Sequence, residues 1–274
     1  MIVYPNAKIN LGLQVLAKRV DGYHDLDTVF YPVNLQDALE VHVCEGEASY
    51  RLHLIGMPVE GSEADNLVVK AYCLLKEKYA LPPVDIHLFK HIPTGAGLGG
   101  GSSDAAFMLR LLDERFELHL TEPELAAYAT RLGADCPFFL KNKPMLAGGI
   151  GERLSPVSVS LKGMHIVIVK PDVSVSTREA FAGIAPHRPE RTVREAIAYP
   201  VEEWKHVLLN DFEPGIFKLH PEIGALKERM YALGAIYAAM SGSGSAVYGL
   251  FKEHLEDVES HFKNLFCRQR ELQY

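Results

Sequence analysis

Five glycines fall among the seven residues from 95 to 101, in the run Pro93-Thr94-Gly95-Ala96-Gly97-Leu98-Gly99-Gly100-Gly101-Ser102-Ser103-Asp104. In a run so poor in Cβ atoms the backbone can approach another group closely. Just before it, Val84-Asp85-Ile86-His87-Leu88-Phe89 alternates apolar and polar residues, the pattern of a half-buried strand. Just after it, Ala105, Met108, Leu109, Leu112 and Phe116 recur at helical spacing. The spacing predicts a helix opening near Ser102 or Ser103, either an apt N-cap, with Asp104 in its first turn near the positive end of the dipole. Strand, glycine loop and helix start in this order form a nest of backbone N–H groups suited to phosphate oxygens.

Other readings of the loop fare worse. No Lys-Ser or Lys-Thr pair closes it, so it is not a Walker loop. Gly95-x-Gly97-x-x-Gly100 matches the dinucleotide fingerprint, which also needs an acid ending a second strand about twenty residues on. That place is held by Glu117-Leu118-His119-Leu120-Thr121-Glu122-Pro123-Glu124, which reads as a loop entering a helix. A dehydrogenase is therefore disfavoured. A bare turn needs glycine only for its φ angles and seldom needs five.

With 274 residues, 48% of them hydrophobic, the chain can bury a core for one large domain or two modest ones. Its formal charge of −7 and scattered basic residues argue against a nucleic-acid partner. A phosphate ligand must then be held by backbone amides and a few placed cations. Cys44, Cys73, Cys136 and Cys267 stand far apart without Cys-x-x-Cys spacing, which predicts reduced thiols. The first residues lack a signal-peptide pattern, and no apolar run approaches the roughly 20 residues of a membrane span. The expectation is a soluble cytoplasmic protein with no membrane contact and no obligatory protein partner.

Elsewhere the pattern is mostly structural. Ala7, Ile9, Leu11 and Leu13 share one face of a strand, and Lys8, Asn10 and Gly12 the other, with Lys8 and Asn10 roughly 7 Å apart at about 3.3 Å rise per residue. On pattern alone that second face reads as solvated. Asp21-Gly22 is a turn signal between two apolar runs, followed by Tyr23 and His24. Residues 39–55 look like a hairpin of outer strands. Ser62-Glu63-Ala64-Asp65 resembles a capping box ahead of an amphipathic helix over roughly 66–79. His42, His53, His87 and His91 form no convincing metal set. Thr121-x-x-Glu124 with Pro123 opens another helix, closed by Gly133 in the C′ role. Asp135, just ahead of Cys136-Pro137, can simply be a cap. The polar stretch Ser155–Ser160 suggests a domain boundary before the buried strand His165-Ile166-Val167-Ile168-Val169. The second half reads strand, helices, strand, turn, strand, helix, with Ser241-Gly242-Ser243-Gly244-Ser245 as the turn.

Taken together, these motifs resemble the GHMP kinases, the family named for galactose, homoserine, mevalonate and phosphomevalonate kinases. The resemblance rests on Ala7-Lys8-Ile9-Asn10, Asp21-Gly22-Tyr23-His24, the loop 93–103, Gly133-Ala134-Asp135, Gly148-Gly149-Ile150-Gly151-Glu152, the stretch with Thr177 and Phe181, Asn210–Glu213 and Ser241–Ser245. It covers most of the chain, with the motifs in order; Cys136 departs only where an aliphatic residue of similar size is common. The resemblance implies an α+β fold of two domains, residues 1–158 with a ribosomal-S5-like ATP domain and 159–274 ferredoxin-like, with the active site in the cleft between them.

The resemblance also implies chemistry. It predicts an ATP- and Mg²⁺-dependent kinase of isoprenoid biosynthesis, phosphorylating the 2-hydroxyl of 4-diphosphocytidyl-2-C-methyl-D-erythritol. Pro93 through Ser103 would cradle the ATP phosphates, with Asn66 and Lys90 near the adenine and Ser103 a candidate Mg²⁺ ligand. Asp135 would accept the hydroxyl proton, kept ionised by Lys8. Asn10 and Thr177 would orient the methylerythritol part, and Tyr23, His24, Phe30 and Phe181 the cytidine end. Homoserine or mevalonate kinase activity is the runner-up, and Asp21–His24 points away from it. A GHMP-like protein without catalysis would be expected to lose Lys8, Asp135 or the loop, and all three are present.

Overall fold

The computed structural model describes residues 1–274. The strands are β1 (Ile2–Val3), β2 (Asn6–Lys18), β3 (His24–Gln36), β4 (Ala38–Val43), β5 (Tyr50–Gly56), β6 (Val84–Lys90), β7 (Met145–Gly149), β8 (Arg153–Pro156), β9 (His165–Lys170), β10 (Tyr237–Met240), β11 (Val247–Phe251) and β12 (Phe266–Glu271). The helices are α1 (Leu67–Lys76), α2 (Gly100–Arg115), α3 (Glu122–Leu132), α4 (Cys136–Lys141), α5 (Thr177–Ala182), α6 (Val193–Ala196), α7 (Trp204–Val207), α8 (Glu213–Leu219) and α9 (Pro221–Ala232). The fold is α+β, and the chain forms two compact units. Residues Met1–Ala7, Leu35–Thr94 and Gly99–Asn142 make the first; Lys8–Asn34, Gly95–Leu98 and Lys143–Tyr274 make the second.

In the first unit one sheet has the order β1-β4-β6-β5. Residues 39–55 are therefore not a hairpin: β6 lies between β4 and β5, antiparallel to the one and parallel to the other. The reason is burial. Val84, Ile86 and Leu88 on β6 are almost fully buried, so β6 takes the interior place, and a parallel β5–β6 pair needs a crossover, which α1 supplies. Leu39, Val41, Leu52, Ile86 and Leu88 pack in one core with Val68, Tyr72 and Leu75 of α1 and Met108, Leu109 and Leu112 of α2.

Several helix ends differ from the expected ones. Ser62 caps no helix; its hydroxyl donates to Asp65 (2.8 Å) beside a 3-10 turn, and Asn66 is the N-cap of α1, accepting from the Val68 N–H at 3.1 Å. Helix α1 spans 67–76 rather than 66–79. Helix α2 opens at Gly100, two to three residues early, because Gly99 takes the left-handed conformation (φ 69°) that turns the loop into the helix. Asp104 consequently sits in the second turn. The box at Thr121 and Glu124 forms as expected, but Gly133 is extended (φ 170°). What glycine provides there is room, since a Cβ would stand 3.3 Å from Cys136 Sγ.

Asp104 points inward and completes a buried ion cluster. The Lys90 ammonium, 2% exposed, donates to Asp104 at 2.6 Å and also to Asp37. Asp37 Oδ1 accepts the N–H groups of His91 (2.5 Å) and Ile92 (2.8 Å), the residues leading into the glycine loop. Two carboxylates thus share one ammonium out of water. Burial above all pushes the Asp104 acid up, to about 7, with Lys90 pulling the other way and Asp37 adding to the rise. Burial opposes the charge on Lys90, yet its two carboxylates hold that pKa above the ordinary lysine value.

The second unit holds two sheets. One has the order β2-β3-β7-β8; the other, β10-β11-β9-β12, is antiparallel throughout. In chain order the latter runs strand, helices, hairpin, strand, with the last strand beside the first, the ferredoxin-like arrangement. The chain ends in β12, not the expected helix; only a 3-10 turn at Val258–Phe262 precedes it. The apolar run Ile166–Val169 is buried along its length, and such an interior strand needs partners on both edges. Phe212, the N-cap of α8, and Ile216, Ile223 and Met230 of helices α8 and α9 pack in the core of this sheet.

Lys90→Met would strand two buried carboxylates. It should lower stability by about 3–5 kcal/mol in urea unfolding. A loss under about 1 kcal/mol, the scale of an exposed ion pair, would mean that both carboxylates reach water.

Candidate active site

The tip of the glycine loop is shaped by backbone contact. Gly97 has φ 75°, and a Cβ there would fall 1.9 Å from the Ser241 carbonyl oxygen. No side chain fits. Ser241 Oγ donates to the Gly97 carbonyl (2.9 Å) and accepts the Asn10 N–H (3.3 Å). Ala246 N–H donates to Ala96 O (3.2 Å) and Lys8 N–H to Leu98 O (2.9 Å). The turn Ser241–Ser245, which joins β10 and β11, and strand β2 therefore hold Gly95–Leu98 from behind.

On this strand Lys8 and Asn10 stand side by side as the period-two pattern predicts, but not on a solvated face: both are 3% exposed. Lys8 Nζ donates to Asn10 Oδ1 at 2.6 Å and lies over the Phe30 ring, 4.8 Å from its centroid. Asn10 Nδ2 donates to Thr28 Oγ1 at 3.0 Å. Asn10 thus uses its carbonyl oxygen and one N–H within the protein. At the other end of the sheet His24 stacks on Phe181, centroids 4.6 Å apart and planes 18° apart, and Phe181 meets the edge of Phe212 at 4.9 Å. Thr177 is exposed at the start of the same helix α5. Tyr23 is 59% exposed on the Asp21-Gly22 turn and joins no aromatic contact with these rings.

The first unit carries the rest. Gly99 offers no side-chain cap to α2, so the N–H groups of Gly100, Gly101 and Ser102 have no helical carbonyl to bond, the general condition under which a helix start can receive an anion. Gly101 is exposed and helical, and a Cβ there would meet only Leu67 Cδ1, at an ordinary 3.6 Å. Ser103 is fully buried and its Oγ makes no hydrogen bond. Pro93 is buried and Thr94 Oγ1 donates to Pro58 O at 3.3 Å. Lys90 lies beneath this helix start, its ammonium engaged by Asp37 and Asp104, so its charge is directed inward. Asn66 Oδ1 is engaged as the α1 cap.

Asp135 is half-buried at the start of α4, with φ −83° and ψ −15°, and its side chain makes no capping hydrogen bond. The simple capping role is therefore absent. Helix α4 packs on α2, and the glycine at 133 brings Cys136 and Ser102 close, so Asp135 stands near the helix start that carries the glycines. Burial pushes the Cys136 thiol up to about 12, against a hydrogen bond from Ser102.

Asp37 and Thr28 escaped the sequence reading. Asp37 lies 53 residues from Lys90, and nothing in one dimension links them. All four cysteines are free. His42 and His53 flank His87 across β4, β6 and β5, with His53 stacked on His87 at 4.5 Å, and no cluster of His, Cys, Asp or Glu is arranged to hold a metal ion. No helix is long and apolar enough to cross a membrane.

Comparison with known proteins gives the family. Residues 66–143 match the GHMP kinases N terminal domain, and residues 200–266 the GHMP kinases C terminal domain. A 4-diphosphocytidyl-2-C-methyl-D-erythritol kinase of Bacteroides thetaiotaomicron is 58% identical over 97% of this chain and 98% of its own. One of the same name from Porphyromonas gingivalis is 52% identical over 92% and 93%. A crystal structure of 4-(cytidine 5'-diphospho)-2C-methyl-D-erythritol kinase superposes with a TM-score of 0.74 at 38% identity, covering 91% of this chain and 90% of that one. The mevalonate kinase of Methanococcus jannaschii, at 14% identity, shares the fold with a TM-score of 0.69 over 100% of this chain and 98% of its own. On full-length identity of this order, the chain belongs to the GHMP kinase family.

Proposed function

We propose that the protein transfers the γ-phosphate of ATP to the 2-hydroxyl of 4-diphosphocytidyl-2-C-methyl-D-erythritol. The observation that carries this reading is the 58% identity, over nearly the whole of both chains, to a relative named for that substrate. The stacked His24 and Phe181 support it, because a cytosine needs an aromatic face and a polar partner at its edge.

Phosphoryl transfer asks a protein mainly for positioning and charge stabilisation. The N–H groups of loop 93–103 and the start of α2 would hold the phosphates, and glycine at position 101 supports this. A Cβ at Gly101 would meet only an ordinary contact, so packing does not demand glycine there, and a ligand approaching the backbone accounts for it. Asp135 would accept the proton of the attacking hydroxyl. Lys8 would offset charge growing on the transferring group. Mg²⁺, when bound with ATP, would neutralise phosphate charge, and the buried, unbonded Ser103 Oγ is an oxygen suited to it. Asp104 is turned toward Lys90 and is not assigned to the metal. Asn10 reaches the substrate, in this reading, through its remaining N–H, beside Thr177 and the aromatic groups Tyr23, His24, Phe30 and Phe181. Lys90 and Asn66 would border the adenine through backbone and stem rather than through charge.

Asp135→Asn should reduce turnover by roughly 100-fold or more while the ATP KM stays close to its original value; near-normal turnover would remove Asp135 from the chemistry. Gly101→Val should fold at least as stably, valine being no worse than glycine in a helix, yet raise the ATP KM by about tenfold, a loss of roughly 1.4 kcal/mol. Unchanged nucleotide affinity would sink the phosphate cradle. In an ADP-release assay over a panel of alcohols, the cytidylyl compound should turn over, and homoserine, mevalonate and methylerythritol phosphate should not, because a site that hydrogen-bonds a base edge rejects ligands lacking it. Equal turnover of homoserine or mevalonate would overturn the substrate reading and leave the kinase.

A further inference from the structure

We infer that Thr28 is a positioning residue for phosphoryl transfer, acting through Asn10 on Lys8; the inference rests on the role proposed for Lys8. Thr28 lies on β3 and is 1% exposed. Its hydroxyl donates to the Gly12 carbonyl oxygen at 2.5 Å. A hydroxyl has one proton, so toward Asn10 it can only accept. It accepts from Asn10 Nδ2 at 3.0 Å.

That bond and the Lys8 ammonium together fix which way the amide of Asn10 points. With Nδ2 held by Thr28, Oδ1 is turned to Lys8 Nζ, 2.6 Å away. The reversed amide would set an NH₂ group against an ammonium, donor against donor. It would also set the amide oxygen against a hydroxyl whose proton is already given to Gly12. Lys8, Asn10 and Thr28 are each 3% exposed or less, so water cannot repair either mismatch. The polarity of the chain thus runs from Gly12 through Thr28 and Asn10 to the ammonium. Gly12 can start it because it takes φ 64°, which breaks the regular strand at that residue. A side chain there would meet Leu208 Cδ1 at 2.6 Å.

Thr28→Val keeps the shape and removes the hydroxyl. Asn10 Nδ2 then keeps an N–H with no acceptor out of water, and the amide loses the support that holds its Oδ1 against Lys8. We expect kcat to fall by about 10- to 100-fold, the scale of a small misplacement of a catalytic group, with the ATP KM within about twofold. Thr28→Ser should restore kcat. Because Thr28 acts only through Asn10, adding Thr28→Val to Asn10→Ala should cost less than about twofold more. A purely structural threonine would instead multiply the two losses and would not split kcat from KM. The inference is overturned if Thr28→Val turns over normally while Lys8→Met is inactive, or if the double variant shows the full product of the single losses. Should Lys8→Met itself keep full turnover, the role of Lys8 falls and takes this inference with it. Thr28→Ala carries the same expectations and reads them if the valine variant does not fold.

Discussion

The contact between Gly97 and Ser241 is the constraint on which the loop geometry turns. Two backbones approach so closely that no Cβ can stand between them, and the Ser241 hydroxyl ties the Gly97 carbonyl to the Asn10 amide. A loop rich in glycine would otherwise be the most mobile part of a chain, since glycine loses more conformational freedom on folding than any other residue. Here that cost is offset by hydrogen bonds from β2 and from the β10–β11 hairpin, which fix Ala96, Gly97 and Leu98. Further along the run Gly101, in the first turn of α2, is exposed and carries no side chain over the backbone.

Charge is handled in two ways. Lys90 is out of water with two acids, and its charge serves the fold by fastening the end of β6 to the second turn of α2. Lys8 is equally buried, donates to the amide oxygen of Asn10 and lies over an aromatic ring. The two lysines look alike in sequence, each on a strand next to apolar residues, and only the packed fold gives them different neighbours.

Much of the site was legible in sequence because its parts are local. The strand before the loop, the glycine run, the helix after it, the box at Thr121 and the turn at Asp21-Gly22 each depend on residues within a few positions of one another. The period-two pattern also placed Lys8 beside Asn10. It could not say whether that face is wet or dry, because both faces of β2 are covered by segments far along the chain. The hairpin read into 39–55 failed for the same reason: alternation marks strands but not their partners, and β6, thirty residues on, took the place between β4 and β5.

By itself, then, the sequence determined the family and most of the local elements, since these are written in short motifs with fixed spacing. Tertiary structure decided which polar groups face which. The inward turn of Asp104 followed from Gly99 starting α2 early, which rotated the acid from the first turn to the buried second one. Asp37 became the partner of Lys90, and Thr28 the orienting group of Asn10, across 53 and 18 residues of chain. Hydrogen bonds between distant side chains depend on burial, which removes the competing water, and burial is a property of the whole packed fold.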